Sequence, residues 1–287
     1  MKLVNAKYIC DKATEKGFGV PALNNNGGSY DIGRAIIEAS QELQAPLIIQ
    51  CYEPNLEYCG YDYAGMLIKY LAADTTIPMC IALDHGKTPE SVFRAVKAGF
   101  THVMIDYAEK PLAENILGTN DIIRLVRPLG ISVEAEIGHI IKSSDASKAR
   151  APKVSVEEAV EFTSKVDIDL LAVADGSTHG IFKVQRDLDF KLVSKIRAAV
   201  KPPLVQHGTC GISMADISKV VKAGMTKINF GEGLRMNYIQ YFNEFTKTLN
   251  HEYHAWRIAR AAKDRLKEDI KDIIRACGAE GKASAFK

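Results

Sequence analysis

Short apolar runs alternating with helical patterns over 287 residues predict an α/β fold, a closed parallel (β/α)8 TIM barrel with an extra C-terminal helix. The eight runs lie at 19–23, 46–51, 79–84, 102–106, 132–137, 170–175, 203–207 and 227–230. They are continuously apolar rather than alternating, as strands covered on both faces require. An open doubly wound sheet is the alternative. It would carry a glycine-rich turn after an early strand, and none follows 19–23. No low-complexity linker breaks the series, so residues 1–287 are expected to form one barrel domain.

The elements follow in order. Strand one runs into Asn24-Asn25-Asn26, and a helix over 29–44 carries Ile32, Ala35, Ile36 and Ala39 on one face. Strand two ends at Gln50-Cys51, and strand three runs into Asp84-His85-Gly86. Thr88-Pro89-Glu90 opens the next helix with an N-cap and a proline at its first position, and Gly99 follows its last turn. Strand four ends in Asp106, and strand five carries Glu134-Ala135-Glu136. Residues 140–154 are polar, rich in Ser, Lys and Ala, and lack periodicity, as expected of a long functional loop. Ser155-Val156-Glu157-Glu158 starts the following helix. Strand six leads into Asp175-Gly176-Ser177-Thr178-His179-Gly180, and a helix spans 187–200. Strand seven leads into His207-Gly208-Thr209-Cys210-Gly211, a helix spans 213–223 before Gly224, and strand eight leads into Asn229-Phe230-Gly231-Glu232. A charged amphipathic helix over about 253–277 lies beyond the eighth unit and must pack on the barrel or on a partner subunit.

Composition narrows the function. A net charge of +2 without a Lys/Arg stripe argues against nucleic acid and against an anionic membrane surface. The longest apolar runs are too short to span a bilayer, and the start, Met1-Lys2-Leu3-Val4-Asn5, lacks an apolar signal region. Six scattered cysteines without C-x-x-C spacing read as reduced thiols. A cytoplasmic enzyme is expected.

Barrel enzymes place their sites at the C-terminal strand ends. His85, His179 and His207 fall at three such ends, each beside a glycine. One histidine alone would be a hydrogen-bonded structural residue. Three facing one point form a ligand set that leaves a metal an open position for substrate. Asp84 precedes a ligand directly, the place for a general acid/base acting beside a metal. Asp106 and Glu136 orient ligands from behind, offer an alternative metal position, or satisfy backbone groups in the barrel mouth. Gly180, Gly208, Gly211 and Gly231 expose backbone N–H groups suited to anions, and Lys183 adds a positive charge nearby. His102 begins a strand at the opposite end and His139 is a weaker candidate.

At these residues the chain resembles the class II ketose-bisphosphate aldolases, the fructose- and tagatose-bisphosphate group. The likeness is carried by Leu83-Asp84-His85-Gly86, Ser132-Val133-Glu134-Ala135-Glu136-Ile137-Gly138, Thr178-His179-Gly180, Gln206-His207-Gly208, Lys227-Ile228-Asn229 and Ala276-Cys277-Gly278-Ala279-Glu280-Gly281-Lys282. It implies one zinc ion (Zn2+) per subunit on the three histidines, with a monovalent cation as a further option. It also implies proton exchange at Asp84, a ketose phosphate cleaved through an enediolate into a dihydroxyacetone-phosphate-type donor and an aldehyde, and a homodimer or homotetramer. Asn24, Gly180, Lys183, Gly208, Thr209, Cys210, Asn229, Phe230, Gly231 and Glu232 become the expected substrate-binding positions.

The chain departs from the family pattern around this core. Cys210 stands for a serine, and Glu232 for a phosphate-binding threonine. The mobile loop reads Ile141-Lys142-Ser143-Ser144-Asp145, which leaves Asp145 as the carboxylate near the missing donor-side glutamate. Gln50-Cys51-Tyr52-Glu53-Pro54 replaces the usual end of strand two, and His254-Ala255-Trp256 replaces the motif before the last helix. A substrate other than fructose 1,6-bisphosphate is expected. The rival readings are another zinc-dependent barrel enzyme acting on sugars, an epimerase or hydrolase, and an impaired member serving as a partner subunit.

Overall fold

The computed structural model describes residues 2–138, 140, 152–178, 188–248 and 253–286. Eight parallel strands close into a barrel: β2 (Val20–Asn24), β3 (Leu47–Tyr52), β4 (Pro78–Gly86), β5 (His102–Ile105), β6 (Ser132–Ile137), β7 (Leu170–Val173), β8 (Leu204–Gln206) and β9 (Met225–Phe230). Closure is made where Ala22 of β2 registers with Asn229 of β9. These strands are the eight apolar runs, shifted by a residue or two at their ends. Strand ends move easily because pairing can continue past the apolar stretch, as β4 does through Gly86. A short β1 (Lys2–Leu3) pairs outside β4 at Pro78 and Met79. It leads into α1 (Ala6–Lys16), which touches β2, β4, β6 and β9 and so covers the N-terminal end of the barrel.

The helices sit where their caps put them. Ser29 accepts from Ile32 N to start α2 (Tyr30–Glu42), and Thr88 and Ser91 form a reciprocal capping box at α5 (Pro89–Lys97). Ser155 does the same with Glu158 at α7 (Val156–Lys165), and Ser213 caps α9 (Met214–Ala223). The helix over 187–200 is α8 (Phe190–Ala199). Left without an assignment by the sequence are α1, α3 (Glu53–Cys59), α4 (Tyr61–Leu71), α6 (Leu112–Val126) and α10 (Glu232–Thr248). Among its described residues α10 buries only Leu234 and Tyr241, so its sequence carries no continuous apolar stripe. It is held instead by α11 (Ala255–Ala276), where Asp269 accepts from Tyr241 and Asn237 at 2.7 and 2.9 Å. The α11 helix packs on the barrel through α2, lined by ion pairs of Lys263 with Glu38 (2.6 Å) and of Lys267 and Lys271 with Glu42 (2.7 and 2.6 Å). No helix among the described residues is long and apolar enough to cross a membrane. All six cysteines are thiols.

Candidate active site

The C-terminal strand ends surround a cavity of about 330 Å³. Two of the three predicted histidines meet at its floor. His85 Nε2 lies 3.1 Å from His207 Nδ1, although 122 residues separate them. Local backbone geometry aims the first ring. His85 occupies the left-handed region (φ 52°) at a register shift in β4, a conformation that costs energy in a residue with a side chain. His207 leaves the short β8 just before Gly208 (φ +64°), where a Cβ would sit 2.6 Å from Thr178 O. Only glycine lets the two loops approach this closely.

Carboxylates fix both rings. His85 Nδ1 is 2.8 Å from Asp106 Oδ2, which also accepts from Lys87 Nζ at 2.7 Å. His207 Nε2 is 2.9 Å from Glu134 Oε1. Each carboxylate thus faces one ring nitrogen and leaves the other nitrogen of each imidazole turned toward its neighbour. At 3.1 Å the two facing nitrogens share a proton while His85 is protonated, and a metal ion between them would take that proton's place. Adjacent nitrogens of a tetrahedral zinc site lie at about this spacing, roughly 3.3 Å for bonds of about 2.0–2.1 Å. Asp84 completes a compact group with these two histidines, their ligating atoms all within 4.8 Å of one another. The donor set therefore fits a zinc ion.

Electrostatics at the floor are dominated by burial and by pairing. Burial opposes ionisation of Glu134, but Lys227 Nζ at 2.9 Å, His102 Nε2 at 3.2 Å and His207 together hold it well below the ordinary carboxylate range. Burial pulls His85 down, yet the charges of Asp84 and Asp106 outweigh it and lift the ring to about 9. Glu136 goes the other way. Burial, then the negative charge of Asp106, raises it to about 8. Its Oε1 accepts from Ile140 N at 3.0 Å, and its Oε2 is buried without a partner.

Asp84 is held on one side only. Asn24 Nδ2 donates to Oδ2 at 3.2 Å, while Oδ1 is buried without a hydrogen-bond partner beside the histidine pair. The carboxylate so presents one oxygen to whatever occupies the cavity.

The family model for class II fructose-bisphosphate aldolase matches residues 4–282 of this chain. The chain belongs to the class II fructose-bisphosphate aldolase family. The aldolase is 34% identical over 287 residues to a fructose-bisphosphate aldolase of Staphylococcus epidermidis, covering 99% of this chain and 100% of that one. It is 29% identical over 289 residues to a sulfofructosephosphate aldolase of Alkalicoccus urumqiensis, covering both chains completely. Among solved structures it is similar to the YdjI aldolase of Escherichia coli K12, with a TM-score of 0.86, 28% identity, and 98% and 99% of the two chains covered. Aldolases of this family are lyases that act on sugar phosphates, so the chain is a ketose-phosphate aldolase.

The remaining expected positions of this aldolase divide clearly. Asn24, Gly208, Thr209, Cys210, Asn229, Gly231 and Glu232 line the cavity. Phe230 does not. Alternation along β9 turns it away from Asn229, and it lines a neighbouring cavity of about 270 Å³ with Leu234 and Ile273. His139, Asp145, His179, Gly180 and Lys183 lie outside the described residues. Asp106 orients a histidine, whereas no described hydrogen bond joins Glu136 to one. Two residues earlier on the same face of β6, Glu134 reaches His207 instead. Sequence reading passed over Glu134 and Lys227. The signal available was their position on strands facing the barrel interior, where an ionised side chain must be paired. His102, at the start of β5, belongs to the same buried network through Glu134 and Ser132.

Proposed function

We propose that this chain is a zinc-dependent aldolase that cleaves and forms a carbon–carbon bond of a ketose phosphate other than fructose 1,6-bisphosphate. The observation that carries the reading is the paired histidines with Asp84 Oδ1 beside them, buried, without a hydrogen bond and 3.9 Å from His85 Nε2. His85 and His207, with His179 as the expected third ligand, would hold the ion. When bound, zinc supplies Lewis-acid chemistry, lowering the cost of the negative charge that cleavage leaves on the donor half.

Asp84 does the proton work on the hydroxyl next to the breaking bond. Asn24 orients the carboxylate through Oδ2, so Oδ1 takes the hydroxyl proton in cleavage and returns it in condensation. Asp106 and Glu134 hold the rings in place, so that the other nitrogen of each would face the metal. Tyr52 narrows the cavity beside His85, with ring centroids 6.0 Å apart and nearly perpendicular planes. Glu232 places a carboxylate at the start of α10, inside the same cavity. Both favour a substrate differing from fructose 1,6-bisphosphate at its ends. Asp145 is the candidate for proton transfer at the donor carbon.

The test is a panel of ketose mono- and bisphosphates incubated with the zinc-loaded protein, with products read by mass spectrometry. Cleavage of one member at least tenfold more efficiently than fructose 1,6-bisphosphate is expected. Preferred turnover of the bisphosphate would refute the specificity. Assembly as a homodimer or homotetramer is part of the proposal. It is supported by Met236, Ile239, Tyr253 and Trp256, which expose apolar surface on α10 and around the start of α11. Light scattering of the purified protein reads it directly, and a monomer would contradict it.

A further inference from the structure

One side of the active-site cavity is built by the ends of β3, β4 and β5, and Gln50, Tyr52, Lys87, Asp106 and Glu109 line it. Strand register places the first two. Tyr52 pairs with Asp84, and Gln50 pairs with Ala82, so both β3 side chains stand on the wall next to Asp84. The charge here is wrong for a phosphate. Lys87 is the one cation on this side among the described residues, and acids already answer it. Its Nζ lies 2.7 Å from Asp106 Oδ2 and 3.9 Å from Glu109 Oε1, and its backbone N donates to Glu53 Oε2 at 3.0 Å. Three carboxylates around one ammonium leave the corner negative. Phosphate sites are built the other way, from guanidinium, ammonium and backbone N–H donors in excess.

Hydrogen bonding on the wall points the same way. Gln50 is 2% exposed, and its Oε1 is buried without a hydrogen-bond partner. On the adjacent strand Asp84 Oδ1 is also buried and makes no hydrogen bond. A buried acceptor left unmatched costs free energy that only a donor recovers. The oxygens of a phosphate dianion accept and do not donate, whereas a hydroxyl does both. Two unmatched acceptors on neighbouring strands therefore suit a polyol, and an acidic rim above them disfavours an anion.

We propose that the aldehyde half of the substrate ends in uncharged hydroxyls on this side of the cavity, that Gln50 accepts a hydrogen bond from one of them, and that Glu109 turns a second phosphate away. The substrate is then a ketose with one phosphate, carried on its donor half. The orientation rests on the aldolase reading: Asp84 takes the proton of the hydroxyl beside the breaking bond, which sets the aldehyde half against β3 and β4. Gln50 and Glu109 divide the selection. Gln50 rewards a hydroxyl that a simple alkyl aldehyde lacks, and Glu109 penalises a terminal dianion. The Glu109 side chain is 63% exposed, so its penalty acts partly through solvent and is the smaller of the two.

The test runs the zinc-loaded, full-length protein toward condensation, with dihydroxyacetone phosphate as the fixed donor. Glyceraldehyde, glyceraldehyde 3-phosphate and propanal are the acceptors. Glyceraldehyde should exceed each of the others by about tenfold or more in kcat/KM. Glu109→Gln should narrow its lead over glyceraldehyde 3-phosphate by about threefold, and Glu109→Lys should narrow it further. Gln50→Leu should cut the ratio of glyceraldehyde to propanal by about tenfold. Equal or better use of glyceraldehyde 3-phosphate by the unaltered protein overturns the proposal, as do ratios that neither Glu109 variant moves. Melting temperature and zinc content identify a Gln50→Leu protein that has merely lost its fold or its ion, and the exposed Glu109 position then carries the test alone. Binding is read separately by calorimetry with glucitol 1-phosphate and glucitol 1,6-bisphosphate, which lack the carbonyl and are not cleaved. Tighter binding of the monophosphate that Glu109→Gln diminishes, without condensation of any aldehyde, would uphold the subsite and sink the aldolase reading. Condensation that favours glyceraldehyde 3-phosphate would do the reverse.

Discussion

His207 Nδ1 stands 3.1 Å from His85 Nε2, and each ring is held from behind by a buried carboxylate. With the outer nitrogens committed to carboxylates, the facing nitrogens are left for a shared proton or a metal ion. Removing either ring should remove the ion. His85→Ala and His207→Ala are each expected to lower bound zinc from one equivalent to below about a tenth, with activity falling in proportion. Elemental analysis after dialysis measures this, and full zinc retention in either variant would remove that histidine from the ligand set.

Glu134 supports His207 from a position without solvent access, 2.9 Å from Nε2. Glu134→Gln preserves shape but exchanges a charged acceptor for an amide, leaving Lys227 without its counter-ion. Zinc affinity should fall about 10–100-fold, the usual cost of losing such support. Chelator competition reports the affinity. An unaltered value would make Glu134 a purely structural partner of Lys227.

Asp84 should separate chemistry from binding. Asp84→Asn keeps the hydrogen-bonding outline near Asn24 but cannot accept the substrate proton. A fall in kcat of about 10²–10⁴ is expected, with zinc content near one equivalent. Stopped-flow kinetics beside metal analysis tests it, and loss of zinc in parallel would recast Asp84 as a ligand.

Glu136 sets a pH dependence of the metal-free fold. Burial, then Asp106, raises it to about 8 from 4.5. A raised native value means that its contribution to stability is complete below about 4.5 and is lost as pH rises through about 8. His85, lifted to about 9 from 6.5 by Asp84 and Asp106 against burial, loses its share in the same direction at higher pH. Melting temperature of the metal-free protein should therefore decline from pH 5 to pH 9, and Glu136→Gln should flatten the lower half of that decline without abolishing the upper. Parallel curves for the two proteins would contradict the assignment.

Much of this was legible in the sequence. Continuous apolar runs specify strands covered on both faces, and caps such as Thr88 and Ser155 mark helix starts within a residue. Histidines beside glycines at strand ends point to the cavity floor, where His85 and His207 meet. The partners of those histidines were harder to read. Glu134 and Glu136 share a face of β6, and only the depth of each in the barrel tells which one meets His207. The left-handed backbone at His85 depends on the register shift between β4 and β5, which no local pattern announces. Helix α10 was obscured because its partner, Asp269, comes 28 residues after Tyr241.

The most direct measurement is of carbon–carbon cleavage in zinc-loaded, zinc-stripped and Asp84→Asn protein, on one ketose phosphate panel, with aldehyde and three-carbon products identified by mass. The account predicts cleavage by the loaded protein, loss on chelation with recovery on adding zinc back, and a deficit of about 10²–10⁴ in Asp84→Asn. Cleavage that survives complete zinc removal, or zinc-loaded protein that isomerises or dephosphorylates the sugars without breaking the chain, would contradict it.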